Sequence, residues 1–363
     1  MNRIKLVVLF VLLFNFAFGE GKQFVINGSI EEIAKGRVWV ITQRVSGLDT
    51  LGGGDIVNGM FKVVGNVDEP VVALITIENY QGGFVFILDT DAPYQMNLKK
   101  QERSTITGGK LQTVYTDYQE MVLQSNKEMQ LLKEKITEAV EVKHFKTATE
   151  LQKKLDDLVA NASQKVERVL DKNKDNVFTA YIRAVKTEKI DDLNILKERY
   201  AILSEKARNT EPAKILAARI ARMEQIEEGN NAPDFTLQTP DGQSLSLYKL
   251  KGKIKIVDFW ASWCGPCRLE NPNMVKLYKE FKDRGLVVLS VSLDQNKEKW
   301  MQAIEKDGMV WYNASSLKGW TCDVVKKYAI TAVPTIFVLD ANNRIIATQL
   351  RGEKLHQFVA ERL

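Results

Sequence analysis

From residue 229 onward, short apolar runs alternate with amphipathic stretches, and this alternation constrains the fold more than any other feature of the 363-residue chain. The runs that predict strands are KIKIVDFWA, GLVVLSVSL, PTIFVLD and RIIATQL, the last two joined by a hairpin across ANN. The stretches that predict helices are CRLENPNMVKLYKEFKDR, KEKWMQAIEKDG, CDVVKKYAI and a terminal helix from Glu353. We therefore predict an α/β domain over residues 229–363.

The region before this domain begins with a different pattern. Over residues 20–108, turn-type residues separate short apolar runs, which are FVINGSI, RVWVI, MFKVVGNV, PVVALITI, GFVFIL and YQMNL. The predicted interruptions are Asn27-Gly28, GGG at 52–54, Gln81-Gly82-Gly83 and DTDAP. Such runs are typical of a small antiparallel β domain, either a sandwich or a partly closed barrel.

Residues 109–228 read as an all-α helical region. Between Lys110 and Glu211 the chain has no Gly, Pro, Cys or Trp, and its apolar residues recur at helical spacing. We expect four or so helices packed as hairpins, with a turn at DKNKDN and Pro212 in a first helical turn. A sustained coiled coil is the alternative. The Gly, Asn and Pro of residues 227–235 mark the boundary to the α/β domain.

The N-terminus has the three-part layout of a secretory signal peptide. Arg3 and Lys5 precede an apolar run, and Ala17-Phe18-Gly19 places small residues before a cut at Glu20. The run is shorter than the ~20 residues that span a bilayer as a helix. We therefore predict cleavage after residue 19 and localisation in the periplasm or cell envelope, with a retained N-terminal anchor as the alternative.

Composition excludes several classes of function. The chain has 51 basic and 46 acidic residues without a basic run, so we expect no nucleic acid partner. Its two histidines, His144 and His356, lie far apart in sequence, and we predict no metal site and no cofactor. The chain has three cysteines, and none precedes Cys264. An exported protein with so few cysteines is not one whose fold depends on a set of disulfides.

Two of the three cysteines occur in VDFWASWCGPCRLENP at residues 257–272, at the junction of a predicted strand and helix. Thiols in C-x-x-C spacing can carry a pair of electrons. Together with APDF upstream and Val-Pro-Thr at 333–335, this motif resembles the thioredoxin superfamily, most closely the exported TlpA/ResA-like thiol-disulfide oxidoreductases. The resemblance covers residues 229–363 and implies a thioredoxin-like domain. In this family architecture, the N-terminal part has no settled role.

The resemblance implies a redox-active Cys264–Cys267 disulfide. At the start of a helix, free N–H groups and a dipole contribution of ~0.3–2 kcal/mol favour a thiolate at Cys264, which makes it the attacking thiol. Cys267 resolves the mixed disulfide. Pro334 matches the cis-proline beside which the substrate pairs with the backbone of Val333. The predicted substrate contacts are Trp263, Gly265, Pro266, Val333 and Pro334.

Two carboxylates match acids that family members commonly carry singly. Asp258 lies on the predicted strand and matches the buried acid of cytosolic thioredoxins, whereas Glu270 matches the acid of the TlpA/ResA-like group. Glu270 follows Cys267 by three residues, which places both on one side of a helix. We predict that Glu270 accepts the proton of Cys267 and that Asp258 tunes or shares this role. The alternative for Glu270 is a solvated helical side chain.

The leading functional hypothesis is a protein-disulfide reductase, because Gly265-Pro266 matches strongly reducing thioredoxins. Its substrates would be oxidised protein thiols, by family analogy those of cytochrome c biogenesis, and its electrons would come from a membrane thiol donor. A disulfide oxidase or isomerase is the alternative, as is a non-catalytic redox-sensing binding protein. Under each of these hypotheses, residues 20–228 are the candidate region for homo-oligomer formation. A peroxidase is disfavoured, since related peroxidases have Thr or Ser where this chain has Ala261. Cys322 is either a buried inert thiol or a regulatory one.

Overall fold

The computed structural model describes residues 21–89, 93–99, 103–185 and 192–363. The predicted signal peptide lies outside the described residues. One compact unit comprises the described residues up to 185 together with 199–215, and the second comprises 192–198 together with 216–363. None of the described helices is both long and apolar enough to cross a membrane. The domain boundaries at residues 108 and 228 stay predictions.

The first unit contains an eight-stranded sheet within the described residues. Its strands are β1 Lys22–Ile30, β2 Lys35–Arg44, β3 Gly47–Val57, β4 Met60–Val67, β5 Val71–Ile77, β6 Phe84–Leu88, β7 Tyr94–Leu98 and β8 Thr105–Thr107. They lie in the order β6-β5-β2-β3-β4-β1-β7-β8. Neighbouring strands are antiparallel except for β1 and β7, which are parallel.

Two of the predicted interruptions were wrong, because their glycines lie inside strands. Gly28 lies in β1 and residues 52–54 lie in β3. A Cβ atom at Gly28 would lie 2.1 Å from the Phe61 ring, and one at Gly53 would lie 2.6 Å from the Trp39 ring. Glycine at these positions therefore makes room for large rings on neighbouring strands and does not form a turn.

Six helices follow in the described part of the chain, which is more than the four or so predicted. They are α1 Lys110–Glu141, α2 Phe145–Lys172, α3 Val177–Val185, α4 Leu193–Ala201, α5 Glu205–Arg208 and α6 Glu211–Gln225. α1 and α2 pack together as a hairpin. The turn at DKNKDN separates α2 from α3, and Pro212 lies in the first turn of α6, as predicted.

The amide of Gln112 on α1 connects the two edge strands of the sheet. This side chain is buried, its Oε1 accepts from the backbone N–H of Ile87 on β6 at 2.8 Å, and its Nε2 lies 3.5 Å from the carbonyl oxygen of Ile106 on β8. Gln112 therefore bonds both edge strands, β6 and β8, which do not pair with each other within the described residues. The choice between a sandwich and a partly closed barrel stays a prediction.

The second unit is a thioredoxin-like α/β domain, as predicted. Its strands are β9 Thr236–Gln238, β10 Ser244–Ser246, β11 Ile254–Trp260, β12 Leu286–Ser292, β13 Tyr312–Ser315, β14 Thr335–Asp340 and β15 Ile345–Thr348. Its helices from the C-x-x-C motif onward are α7 Gly265–Phe281, α8 Lys297–Asp307, α9 Asp323–Lys327 and α10 Gly352–Ala360. The sheet order is β10-β9-β13-β12-β11-β14-β15, and β9, β10 and β13 were not predicted.

Strand β11 determines where the site lies. All seven of its residues are buried, and it pairs in parallel with β12 and antiparallel with β14. A strand covered on both faces is predominantly apolar, and five of the seven residues of β11 are apolar, which is why the strand was predicted from the sequence. Its C-terminal end leads directly into the turn before α7.

Candidate active site

The C-x-x-C motif forms the N-terminus of α7. Cys264 is the N-cap residue and Pro266 lies in the first turn, where its missing N–H leaves no intrahelical bond unmade. The backbone N–H of Cys267 points at the Cys264 sulfur, with N and Sγ 3.2 Å apart. This N–H group stabilises negative charge on that sulfur when the pair is reduced.

Cys264 and Cys267 form a disulfide in the structure. Cys264 is 5% exposed and Cys267 is 1% exposed, so Cys264 is the one that a partner reaches first. The Cys264 sulfur also lies 3.7 Å from the carbonyl oxygen of Val333. The exposure difference matches the predicted roles of attacking and resolving thiol.

The Val333–Pro334 peptide bond is cis, the geometry that the resemblance implies. Two hydrogen bonds hold this loop. The Thr335 hydroxyl donates to the carbonyl of Ala332 at 2.7 Å, and the Arg351 guanidinium donates to the carbonyl of Pro334. The loop therefore presents the backbone of Val333 beside the Cys264 sulfur.

Asp258 on β11 is buried. The hydroxyl of Ser290 donates to its carboxylate at 3.0 Å, and the indole N–H of Trp311 donates to that hydroxyl at 2.9 Å. The pKa of Asp258 is raised to about 7, mainly by burial and also by the charge of Glu270. The Ser290 hydrogen bond and the charge of Arg351 act in the opposite direction and lower it. A carboxyl group with this pKa can take up and return a proton near neutral pH.

Glu270 lies on α7, and its oxygens already have donors. Oε1 accepts from the backbone N–H of Gly352 at 2.7 Å, and Oε2 lies 3.2 Å from the amide nitrogen of Asn273. Gly352 is the first residue of α10, so Glu270 occupies a helix N-terminus, where negative charge is favourable. Glu270 is thus neither a freely solvated side chain nor shown to bond Cys267, and its predicted role as proton acceptor stays a prediction.

The other predicted contact residues lie on the surface around the disulfide. Trp263 is 57% exposed, whereas Trp260 is fully buried in the core. Gly265 and Pro266 are exposed, and a Cβ atom at Gly265 would meet nothing within 4 Å. A partner can therefore approach the disulfide across the start of α7.

Sequence reasoning missed the polar residues that hold the turn between β11 and α7. Ser262 bonds Asp294, and Arg268 bonds both Ser262 and Asp307. Asp294 follows the end of β12, the parallel neighbour of β11, so its proximity to Ser262 could have been inferred from topology. Arg268 and Asp307 belong to different helices, and no local pattern predicts that contact.

Cys322 is a free, buried thiol, which favours the inert alternative. Within the described ranges, no group of three or more His, Cys, Asp or Glu side chains is placed to hold a metal ion.

Two known families match this chain. Residues 229–348 match the AhpC/TSA family, and residues 24–115 match a domain of unknown function, DUF4369. The first match covers the disulfide, the cis-proline loop and Asp258. The second covers the β-sheet of the first unit and carries no assigned activity.

Similar proteins include thiol-disulfide oxidoreductases. The chain is 30% identical over 132 residues to thiol-disulfide oxidoreductase ResA of Bacillus subtilis, which is 36% of this chain and 72% of the relative. ResA of Bacillus cereus is 27% identical over 143 residues, which is 39% of this chain and 80% of the relative. Among solved structures, the thioredoxin domain of a thiol-disulfide oxidoreductase from Bacteroides vulgatus is 38% identical, covering 37% of this chain and 96% of that chain with a TM-score of 0.36.

Proposed function

This chain belongs to the ResA/TlpA-like thiol-disulfide oxidoreductases of the thioredoxin superfamily, and on that premise we propose that it is an exported protein-disulfide reductase acting through Cys264 and Cys267. One observation carries the proposal. The Cys264 sulfur lies at the N-terminus of α7, in contact with the N–H of Cys267 and beside the carbonyl of Val333. This arrangement stabilises a thiolate and offers backbone to an extended substrate.

The reaction starts from the reduced pair. The Cys264 thiolate attacks one sulfur of a substrate disulfide, the substrate S–S bond breaks, and the leaving sulfur takes up a proton. Cys267 then loses its proton, attacks the Cys264 sulfur of the mixed disulfide and releases the second substrate thiol. Two electrons pass to the substrate, and the enzyme ends with the Cys264–Cys267 disulfide.

We assign the proton of Cys267 to Asp258, with Glu270 acting on Asp258 through its charge. Asp258 is buried, and its pKa of about 7 lets it accept a proton near neutral pH. Glu270 already accepts hydrogen bonds from Gly352 and Asn273. The sequence-based prediction was the opposite assignment, with Glu270 as the acceptor, and that role stays a prediction.

The direction of electron flow rests on Gly265-Pro266, the dipeptide that the family resemblance associates with reductases. A reductase that ends each cycle oxidised needs a thiol donor to reduce Cys264–Cys267 again. For an exported protein this donor is a membrane dithiol carrier. Its substrates are oxidised thiols of other exported proteins, and homo-oligomer formation through residues 20–228 remains part of this proposal.

Trapping the mixed disulfide tests the mechanism. We expect Cys267→Ser, incubated in reduced form with an oxidised protein such as scrambled ribonuclease A, to accumulate a covalent adduct that a thiol releases. Cys264→Ser is the matched control and is expected to form none. Adducts formed equally by both variants, or by the Cys264→Ser variant alone, would contradict the assigned order of attack.

Export is tested separately. We expect the mature protein recovered from the producing cell's envelope fraction to begin at Glu20 by mass spectrometry of the intact chain. A protein that keeps residues 1–19 in the membrane fraction would support the retained anchor instead, and one found with residues 1–19 in the cytoplasm would contradict export.

A further inference from the structure

Two exposed tryptophans lie together beside the disulfide. Trp263 directly precedes Cys264, and its ring centroid lies 6.4 Å from that of Trp320, with the ring planes inclined by 46°. Trp263 is 57% exposed and Trp320 is 44% exposed. Large aromatic side chains are costly to leave in water and are enriched where proteins bind other polypeptides.

The turn that carries Trp263 is held by a buried carboxylate. Asp294 is 2% exposed, and it accepts from the backbone N–H of Ser262 at 2.9 Å and from the Ser262 hydroxyl at 2.6 Å. The Ser292 hydroxyl donates to the same carboxylate at 2.7 Å. The backbone immediately before Trp263 is therefore fixed.

A second contact holds the same turn from α7. The guanidinium of Arg268 donates to the carbonyl of Ser262 at 3.2 Å and to both carboxylate oxygens of Asp307. The buried amide of Asn271 donates to Asp307 at 2.7 Å. The turn is thus bonded through its N–H, hydroxyl and carbonyl groups, which leaves Trp263 little backbone freedom.

Trp320 is displayed by a separate, equally constrained segment. It lies in a 3-10 turn over Gly319–Thr321, in which the Thr321 hydroxyl donates to the carbonyl of Lys318 at 2.7 Å. Gly319 has a φ of 55°, and a Cβ atom there would lie 3.1 Å from the side chain of Gln295, next to Asp294. The two rings are therefore presented by elements ordered before any partner arrives, which lowers the entropy cost of binding.

We propose that Trp263 and Trp320 form one binding surface for a large apolar side chain next to the disulfide of a polypeptide substrate, and that Trp320 determines this preference. The proposal rests on the reductase function stated above. The occupant is a substrate because the surface adjoins Cys264, and whatever covers Trp263 also covers the sulfur that must be attacked. Trp263 alone offers one exposed ring, and Trp320 extends the apolar surface beside it.

Two synthetic peptides test the preference. Both contain an intramolecular disulfide and differ only in the residue before the first cysteine, which is Phe in one and Ser in the other. We expect the reduced wild-type enzyme to be oxidised about tenfold faster by the Phe peptide at subsaturating concentration, from partial burial of one phenylalanine. We expect Trp320→Ser to reduce this ratio to less than about threefold and Trp320→Phe to retain most of it. Tyr312→Ser, an exposed aromatic residue on β13, is the control and keeps the wild-type ratio.

The outcomes separate the surface from the chemistry. A wild-type enzyme that reduces both peptides equally, or a preference that survives Trp320→Ser, overturns the surface and leaves the reductase function intact. A wild-type enzyme that reduces neither peptide nor glutathione disulfide overturns the reductase function itself. Sedimentation of the wild type and Trp320→Ser tests whether a second copy of the chain occupies the surface. Self-association that is lost in the variant would assign the surface to a second copy and overturn the proposal.

Discussion

Asp258 illustrates how a single buried residue links stability to chemistry. The protonated form is favoured because β11 removes the carboxyl group from water, whereas the hydrogen bond from the Ser290 hydroxyl favours the charged form. The folded wild-type protein is therefore less stable whenever Asp258 is ionised, because the buried charge is not fully compensated. An apolar residue at this position would avoid this loss of stability. The presence of a buried carboxyl group therefore points to a role in proton transfer.

Replacing Asp258 by Asn should stabilise the oxidised protein at alkaline pH. The folded-state pKa of about 7 lies above the ordinary 3.8, so the folded state binds the extra proton and the wild type loses stability as pH rises between these values. Between pH 5 and pH 8 this loss is about 2–3 kcal/mol and is absent in Asp258→Asn. Urea unfolding followed by tryptophan fluorescence measures it, since five of the six tryptophans lie beyond residue 229. Parallel pH profiles for wild type and variant would contradict a raised pKa at Asp258.

Glu270 and Arg351 should shift the titration of Asp258 in opposite directions. The charge of Glu270 raises the pKa of Asp258, and that of Arg351 lowers it. We expect Glu270→Gln to move the midpoint of the pH dependence of mixed-disulfide resolution to lower pH, and Arg351→Gln to move it to higher pH. Gln at position 270 still accepts from the Gly352 N–H, so the helix contact is retained. Stopped-flow resolution rates between pH 5 and pH 9 give both midpoints, and shifts of the same sign would refute charge coupling.

At the scale of elements, the glycines of the eight-stranded sheet act through packing. Gly28→Ala places a methyl group against the Phe61 ring on β4, and we expect a loss of about 1–3 kcal/mol of stability. Phe61→Leu removes the ring, so in that background Gly28→Ala should cost much less. Hydrogen exchange of the β1 and β4 amides measures both effects locally. Equal costs in the two backgrounds would show that the Phe61 contact is not the cause.

Elements with a strong local pattern were predictable, and elements formed by long-range contacts were not. The mostly apolar strand β11 and the long amphipathic helices α1 and α2 follow from the pattern of apolar residues. Strand β3 was missed because Gly52–Gly54 read as a turn. The Trp39 ring against Gly53 and the Lys62 carbonyl oxygen against Gly54 show why glycine is needed there. Strand β13 is short and polar, and its pairing with β12 stabilises it.

The same division holds for the site. The dithiol was found from its motif, and the cis-proline and both acids were identified from the family resemblance. The partner of Glu270 was not, because Gly352 is 82 residues away in sequence. Asp294 and Trp320 were also missed, since each reaches the active-site turn only through the folding of distant segments.

At the scale of the whole molecule, the potentials of donor, enzyme and substrate set the direction of electron flow. Each substrate disulfide reduced leaves one Cys264–Cys267 disulfide, so sustained turnover depends on the potential of this pair relative to its donor and substrate. A difference of ~30 mV corresponds to ~1.4 kcal/mol for two electrons, so the potential decides the direction of net flow. The two tryptophans and the cis-proline loop decide only which disulfides reach the sulfur.

The reduction potential of the full mature chain therefore decides between reductase and oxidase. With Cys322→Ser removing the third thiol, we expect equilibration against glutathione or dithiothreitol buffers to give a value near the thioredoxin end of the scale, about −270 mV. The N–H of Cys267 and the start of α7 favour the thiolate and would by themselves raise the potential. A reducing value thus requires that the disulfide form be stabilised by at least as much, as the resemblance of Gly265-Pro266 to reducing thioredoxins implies. A value near −120 mV, about that of the strongest oxidants of this fold, would show that stabilisation of the Cys264 thiolate outweighs stabilisation of the disulfide. The protein would then be a disulfide donor.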